Sequence, residues 1–285
     1  MTATLGFGPP APSPGRATVT ALAARELRRF VLNPVFLSGV ALAAWWAWKV
    51  PRADPEIDEV IGYPAIFLGG FGMMATYWLT RSMRASEPVV GVTPVTLPAR
   101  TAALCTVAIV SFLCGCLALL WFVRLYPVSE PVYGAFSQPA RIAVLVGQVV
   151  VPSLGGPLLG VALGRWVRFP GAAFVLFLLL SAWINLVTWL TITYPDSAPV
   201  AVLRLFAPFA LFTLHSDAGV TAWRGSPWFF LGWQLALCAV LVALLRGAEG
   251  RLRSRIIRAL GIAGVAALIL LVLAGTGGFT HAVTT

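Results

Sequence analysis

Few side chains in this sequence can do chemistry, and their placing narrows what kind. Its 285 residues include two histidines, ten acids and four cysteines. His215-Ser216-Asp217 sets three triad-type residues side by side. Triad members meet through the fold and not as chain neighbours, so a loop at a helix end accounts for them better. The second histidine, His281, stands near the C-terminus, and neither an HExxH nor a GxSxG pattern occurs. Cys105, Cys114, Cys116 and Cys238 lie inside apolar runs, and Cys114-Gly115-Cys116 is too tightly spaced for the usual zinc pair. They read as thiols that fill space, and no metal site is expected. A phosphate-binding loop needs Gly-rich backbone followed by Lys and Ser/Thr. The only lysine, Lys49, follows Ala44-Trp45-Trp46-Ala47-Trp48, so ATP chemistry would have to come from another chain. No acid falls in the middle of an apolar run, which disfavours a proton- or sodium-coupled carrier.

The composition explains this scarcity. Hydrophobic residues make up 59% of the chain and charged residues 11%, where a soluble domain carries roughly 25% charged. A water-soluble protein of this size has no core large enough to hide 11 Trp and 17 Phe among so many aliphatic residues. A soluble enzyme, a disordered protein and a disulfide scaffold are excluded, and a polytopic membrane protein is expected. The net charge of +10 lies mostly in short segments between apolar runs. It therefore reports membrane topology, with no nucleic acid as partner.

Residues 1–16 are rich in Pro and Gly and read as a disordered cytoplasmic tail with no signal peptide. Residues 17–32 read as an amphipathic helix, with Leu22, Leu27, Phe30 and Val31 near one side and Arg25, Glu26, Arg28 and Arg29 crowding the rest. Asn33-Pro34 then lets the chain turn into the bilayer. Seven runs approach the roughly 20 apolar residues a span requires: about 34–50, 63–80, 102–124, 140–164, 171–193, 226–246 and 259–276. The run 200–214 is too short and holds Arg204 and Pro208, so a re-entrant or interfacial hairpin is expected there. With the N-terminus inside and seven crossings, the inner segments hold fourteen cations against three acids, and the outer ones six against seven. That asymmetry favours a cytoplasmic N-terminus and an extracytoplasmic C-terminus, with 277–285 as an outer tail.

Two patterns inside the spans stand out. Gly156, Gly160 and Gly164 recur every four residues, a stripe that lets another helix approach closely, within the chain or from a second subunit. Ser181, Asn185 and Thr188 share one face of the fifth span. They serve either helix-to-helix hydrogen bonds or, with Thr76 and Tyr77 of the second span, a weakly polar wall for an amphipathic cargo. The connector 81–101, RSMRASEPVVGVTPVTLPART, is long for a link between neighbouring helices and is stiffened by three prolines. It could form a rigid knob that docks on a cytoplasmic partner.

Taken in order, these features resemble the permease subunit of an ATP-binding-cassette transporter of the type-2 export family. The stretch ARELRRFVLNPVFL (Ala24–Leu37) is similar to the family's interfacial elbow helix, and EPVVGVTPVTLPARTAAL (Glu87–Leu104) to its loop between the second and third spans. The non-crossing hairpin before the sixth span is similar to its extracellular re-entrant helices. The resemblance covers about residues 1–246; a thin acidic and basic run ahead of the turn, Pro88 directly after Glu87, and a seventh span depart from the family pattern.

The resemblance implies an all-α polytopic membrane protein with an interfacial elbow helix, six spans, an extracellular re-entrant hairpin before the sixth, and here an extra C-terminal span. It implies that Glu87, Thr93, Pro94 and Val95 couple the chain to a cytoplasmic ATPase and that Arg25, Arg28 and Arg29 anchor the elbow at the lipid surface. It further implies a second permease subunit, the same or related, ATP and Mg bound only by the ATPase partner, and no catalysis in this chain. Arg-for-Lys and Ala-rich usage suggests a bacterial plasma membrane. The rivals are an integral membrane enzyme acting on lipid, and a non-transporting scaffold or immunity protein.

Overall fold

In a computed structural model the described residues are 16–49, 62–85, 97–125, 137–194, 197–207, 213–216, 219–223, 226–245, 251–275 and 279–282. The coupling residues Glu87, Thr93, Pro94 and Val95 lie outside them, as does the tail 1–15. The fold is a helical bundle with one small sheet. Helix α1 (Arg16–Val31) leads into α2 (Pro34–Lys49) through a 58° bend. Pro34 starts the second helix where its missing N–H costs nothing, and Asn33 Oδ1 accepts the Val35 N–H at 2.9 Å as the cap. The rings of Phe30 and Phe36, 4.1 Å apart between centroids, hold the angle. Phe30 is buried in a cluster with Leu104, Val107 and Val161, so the inner face of α1 is bound to the bundle. Glu26 belongs to that inner face: it is only 5% exposed and accepts a hydrogen bond from Arg29 at 3.2 Å. Arg25, Arg28 and Arg29 point outward.

The chain returns through α3 (Tyr63–Ala65), a π-helical turn (Ile66–Gly70) and α4 (Phe71–Ala85). Trp46 near the end of α2 packs on Tyr63 at the start of α3, so the two segments run antiparallel. Next come α5 (Leu97–Leu125), α6 (Gln138–Leu145), a second π turn (Val146–Val150) and α7 (Val151–Trp166). Helix α8 (Ala172–Thr193) and the short α9 (Ala198–Leu205) precede strands β1 (Thr213–Ser216) and β2 (Gly219–Trp223). Helices α10 (Pro227–Leu245) and α11 (Arg251–Gly275) pack together, and β3 (Phe279–Ala282) ends the described chain.

Among the described residues four stretches are long and apolar enough to cross a membrane, Ala99–Arg124, Gln138–Trp166, Ala172–Thr193 and Pro227–Leu245, and the bent α1–α2 pair makes a fifth if counted as one span. At roughly 1.5 Å per residue each reaches about 28 Å or more, close to the hydrocarbon thickness. The protein is α-helical and its apolar helices fit a membrane-embedded bundle.

One end of the bundle is basic, and arginines tie it together. Arg84, at the end of α4, donates to the Arg165 carbonyl at the end of α7 at 2.9 Å. Arg165 in turn donates to the carbonyl of Leu245, the last residue of α10, and lies 3.4 Å from the Thr101 hydroxyl at the start of α5. Each guanidinium meets a carbonyl that a helix C-terminus leaves without an intrahelical partner, where a cation is favoured.

The glycine stripe lies against α4 and the first π turn of the same chain. A Cβ at Gly156 would lie 2.1 Å from the Gly69 carbonyl oxygen, one at Gly160 2.2 Å from that of Met73, and one at Gly164 2.6 Å from Thr80 Cβ. Without those side chains α7 and α4 lie backbone to backbone.

The run 200–214, expected as a re-entrant or interfacial hairpin, is described in part: α9 ends at Leu205 and β1 begins at Thr213, and 208–212 lie outside the described residues. One stretch differs from expectation. Residues 279–282, expected as part of a tail, pair antiparallel with β2, setting Thr221 opposite His281 and making the sheet order β1-β2-β3. Such pairing between distant segments leaves no local mark in a four-residue sequence. It ties the C-terminal end of α11 to the loop ahead of α10.

Candidate functional site: a cavity behind helix α8

Helix α8 meets α4 at its basic-end start. There Ala172 and Ala173 pack on Tyr77, whose hydroxyl donates to the Phe169 carbonyl. Phe177 then lies against Phe71 and over Gly70, where a Cβ would come within 2.4 Å of its ring. Beyond Phe177 the helix packs on the segment that follows it, where Val187 and Trp183 meet Ala207 and the Trp183 N–H donates to the Phe206 carbonyl at 3.1 Å; on its other side it leaves a cavity of about 390 Å³, within the roughly 300–1,000 Å³ typical of small-molecule sites.

Three walls enclose it: residues from Gly62 to Met73, the segment with Gln148, Pro152 and Gly156, and the α8 face carrying Phe177, Leu180, Ser181, Ile184, Asn185 and Thr188. These come from the N-terminal half of α3–α4 and the middle stretches of α6–α7 and α8. The cavity therefore lies near the middle of the bundle, away from the arginine-tied end. Both π turns border it, the first through Ile66, Gly69 and Gly70 and the second through Gln148. A π turn adds a residue to a helix and re-aims the side chains around it, and such turns are frequent at functional sites.

Among the described lining residues there is no Asp, Glu, His, Lys, Arg or Cys. The described residues contain no group of three His, Cys, Asp or Glu placed to hold a metal. What the walls offer is apolar surface and a few neutral hydrogen-bonding groups.

The residues singled out in the sequence divide accordingly. Ser181, Asn185 and Thr188 all line the cavity. Thr76 and Tyr77 do not; both are buried in contact with the chain itself. The Thr76 hydroxyl lies 2.8 Å from the Pro157 carbonyl oxygen and 2.9 Å from that of Gly72, and joins α4 to α7. Gly156 lies at the rim, and Gly160 and Gly164 belong to the α4–α7 contact. The role of Gln148 and both π turns were not foreseen. Gln148 is recognisable as a polar residue in an apolar run, but IFLGG and VGQVV carry no pattern that marks a π turn.

No protein-family model, no curated protein and no solved structure matches the chain.

Proposed function

We propose that this chain is the membrane-spanning permease subunit of an ATP-driven transporter, an exporter of amphipathic or apolar cargo in a bacterial plasma membrane. Seven segments cross, with the N-terminus cytoplasmic and the C-terminus outside. Separate ATPase subunits bind the connector 81–101, and a second permease subunit, the same or related, completes the pathway.

The observation that carries this reading is the cavity: about 390 Å³ inside an apolar helical bundle, with no acid, Lys, Arg or His among its described lining residues. Proton-coupled pathways place an ionisable group within the membrane to bind the coupling ion. The described lining has none, which favours an energy source outside the cavity. Two further features support the reading. The bent α1–α2 pair, with Arg25, Arg28 and Arg29 outward, suits a helix lying at the lipid surface before the first span. The arginine-tied end of the bundle suits the cytoplasmic side, and the connector leaves α4 and rejoins α5 there.

The test is co-expression of the full chain with a candidate ATPase, followed by nucleotide turnover in proteoliposomes with and without amphipathic cargo. Glu87→Ala and Pro94→Ala are expected to lower cargo-stimulated turnover several-fold while the chain still inserts. Cargo movement by the lone chain at the same rate without nucleotide overturns the reading. So does labelling of a cysteine placed at position 93 only from outside the cell.

A further inference from the structure

The cavity wall carries a chemical preference. Inside the bundle, hydroxyl groups otherwise turn back on nearby carbonyl oxygens: Thr80 on Thr76, Ser153 on Val149 and Thr191 on Val187, while Ser111 reaches Leu68 of a neighbouring segment. That is the expected behaviour where no water is at hand and an unmet polar group is costly. Ser181 and Thr188 depart from it. Each could donate one turn back within α8, as Thr191 and Thr193 do, yet neither hydroxyl makes a hydrogen bond to the described protein. Asn185 gives its amide N–H to the Ser181 carbonyl at 2.8 Å, which leaves its Oδ1 as an acceptor. Two donor–acceptor hydroxyls and one amide oxygen thus line up at i, i+4 and i+7 on the cavity wall, with no charge beside them.

The opposite wall is open and apolar. Ile66 is 42% exposed and Tyr63 36%, although both line the cavity. On the outer side of α8, Leu178, Leu179 and Leu186 are exposed as well. In a bilayer-embedded bundle, a gap between such surfaces opens sideways to the acyl chains and not to water.

We propose that this cavity binds an uncharged amphiphile, with its hydroxylated head on Ser181, Asn185 and Thr188 and its hydrocarbon chain leaving sideways past Ile66 and Tyr63. The assignment rests on the reading of the cavity as the cargo path and narrows the cargo to neutral head groups. A phosphate or carboxylate head would enter this wall without a cation among the described lining residues to meet it, a heavy cost at low dielectric.

The experiment uses the full-length chain alone in phosphatidylcholine nanodiscs, without ATPase or nucleotide. Two probes carry the same diazirine-bearing acyl chain, one a monoacylglycerol and the other a lysophosphatidic acid. The monoacylglycerol is expected to crosslink to α8 or to residues 62–73 and to be competed by unlabelled monoolein. Its apparent affinity should fall about tenfold in Asn185→Leu/Thr188→Val, from the loss of two neutral hydrogen bonds. Thr188→Ser keeps the hydroxyl and should label as wild type does. The phosphate-headed probe should bind at least about tenfold more weakly at this site. Equal labelling by the two probes, or labelling that the double variant leaves unchanged, overturns the assignment. Labelling as expected in a chain for which no ATPase partner is found keeps the site and removes the transport reading. Cargo-stimulated turnover with no labelling here removes only the site.

Discussion

The glycine stripe gives the sharpest test of the bundle, because two hypotheses about it make opposite forecasts. Gly156→Ala adds a methyl group whose carbon would lie 2.1 Å from the Gly69 carbonyl oxygen and 2.7 Å from Gly69 Cα. Ordinary contact begins near 3.4 Å. Neither obstacle is a side chain that can swing aside, so α7 and the first π turn must part by about 1 Å. Overpacking of that kind costs about 1–3 kcal/mol, and rigid backbone on both sides places this site toward the upper end. Gly232→Ala in α10 is the matched control: nothing lies within 4 Å of its added methyl. In a helix interior that exchange is expected to stabilise by about 0.5–1 kcal/mol. Reversible unfolding in mixed micelles, followed by tryptophan fluorescence, should separate the two variants by about 2–4 kcal/mol in opposite directions. Should Gly156→Ala unfold like wild type while a dimer falls apart in the same detergent, the stripe serves a second subunit, and its contact with α4 has been misjudged.

Further outcomes follow from the same contacts. Arg165→Met removes the donor to the Leu245 carbonyl and the Thr101 hydroxyl; a loss of about 1.5–3 kcal/mol is expected, with faster amide exchange over the last turn of α10 as the local readout. Asn33→Ala deletes the cap on Val35 and should cost about 1 kcal/mol, while spin labels on α1 and α2 report a broadened distribution about the 58° bend. Tyr77→Phe frees the Phe169 carbonyl. The expected cost in thermal unfolding is modest, about 0.6 kcal/mol, with greater mobility at the start of α8.

How much of this was legible in the sequence depends on whether the signal was local. The polar face Ser181, Asn185, Thr188 is written in one helix, and helical periodicity alone brings it together. The break at Asn33-Pro34 is equally local, since proline chemistry dictates it. Thr76 and Tyr77 show the limit. Their residue types suit a cavity wall as well as Ser181 does, and only the approach of Pro157 and Phe169 from elsewhere in the chain places them inside a contact. Glu26 is the opposite case: grouped with the arginines by its charge, it stands one turn from both Leu22 and Phe30, so helical spacing itself turns it inward, and its partner Arg29 is three residues on in the same helix. The strand Phe279–Ala282 was out of reach because its partner lies about sixty residues earlier. The cavity itself needed three segments and two π turns at once.

The basic end of the bundle and its middle are built for different work. At the basic end, helix termini are tied by Arg84 and Arg165, Phe30 seals α1 against the bundle, and Tyr77 holds the start of α8. Along their length α4 and α7 are in backbone contact, so a displacement of one must carry the other. α8 has no such contact past Phe177. There it packs on the segment that follows it, through Val187, Trp183 and Ala207 and the hydrogen bond from Trp183 to the Phe206 carbonyl, and its polar face lines the cavity. A force applied at the basic end would therefore move α4 and α7 together and change their relation to α8, which is the one relation that sets the width of the cavity. Filling the gap with a larger side chain at Ser181 would disturb ligand binding with little effect on the α4–α7 contact, whereas tightening the glycine stripe would disturb both.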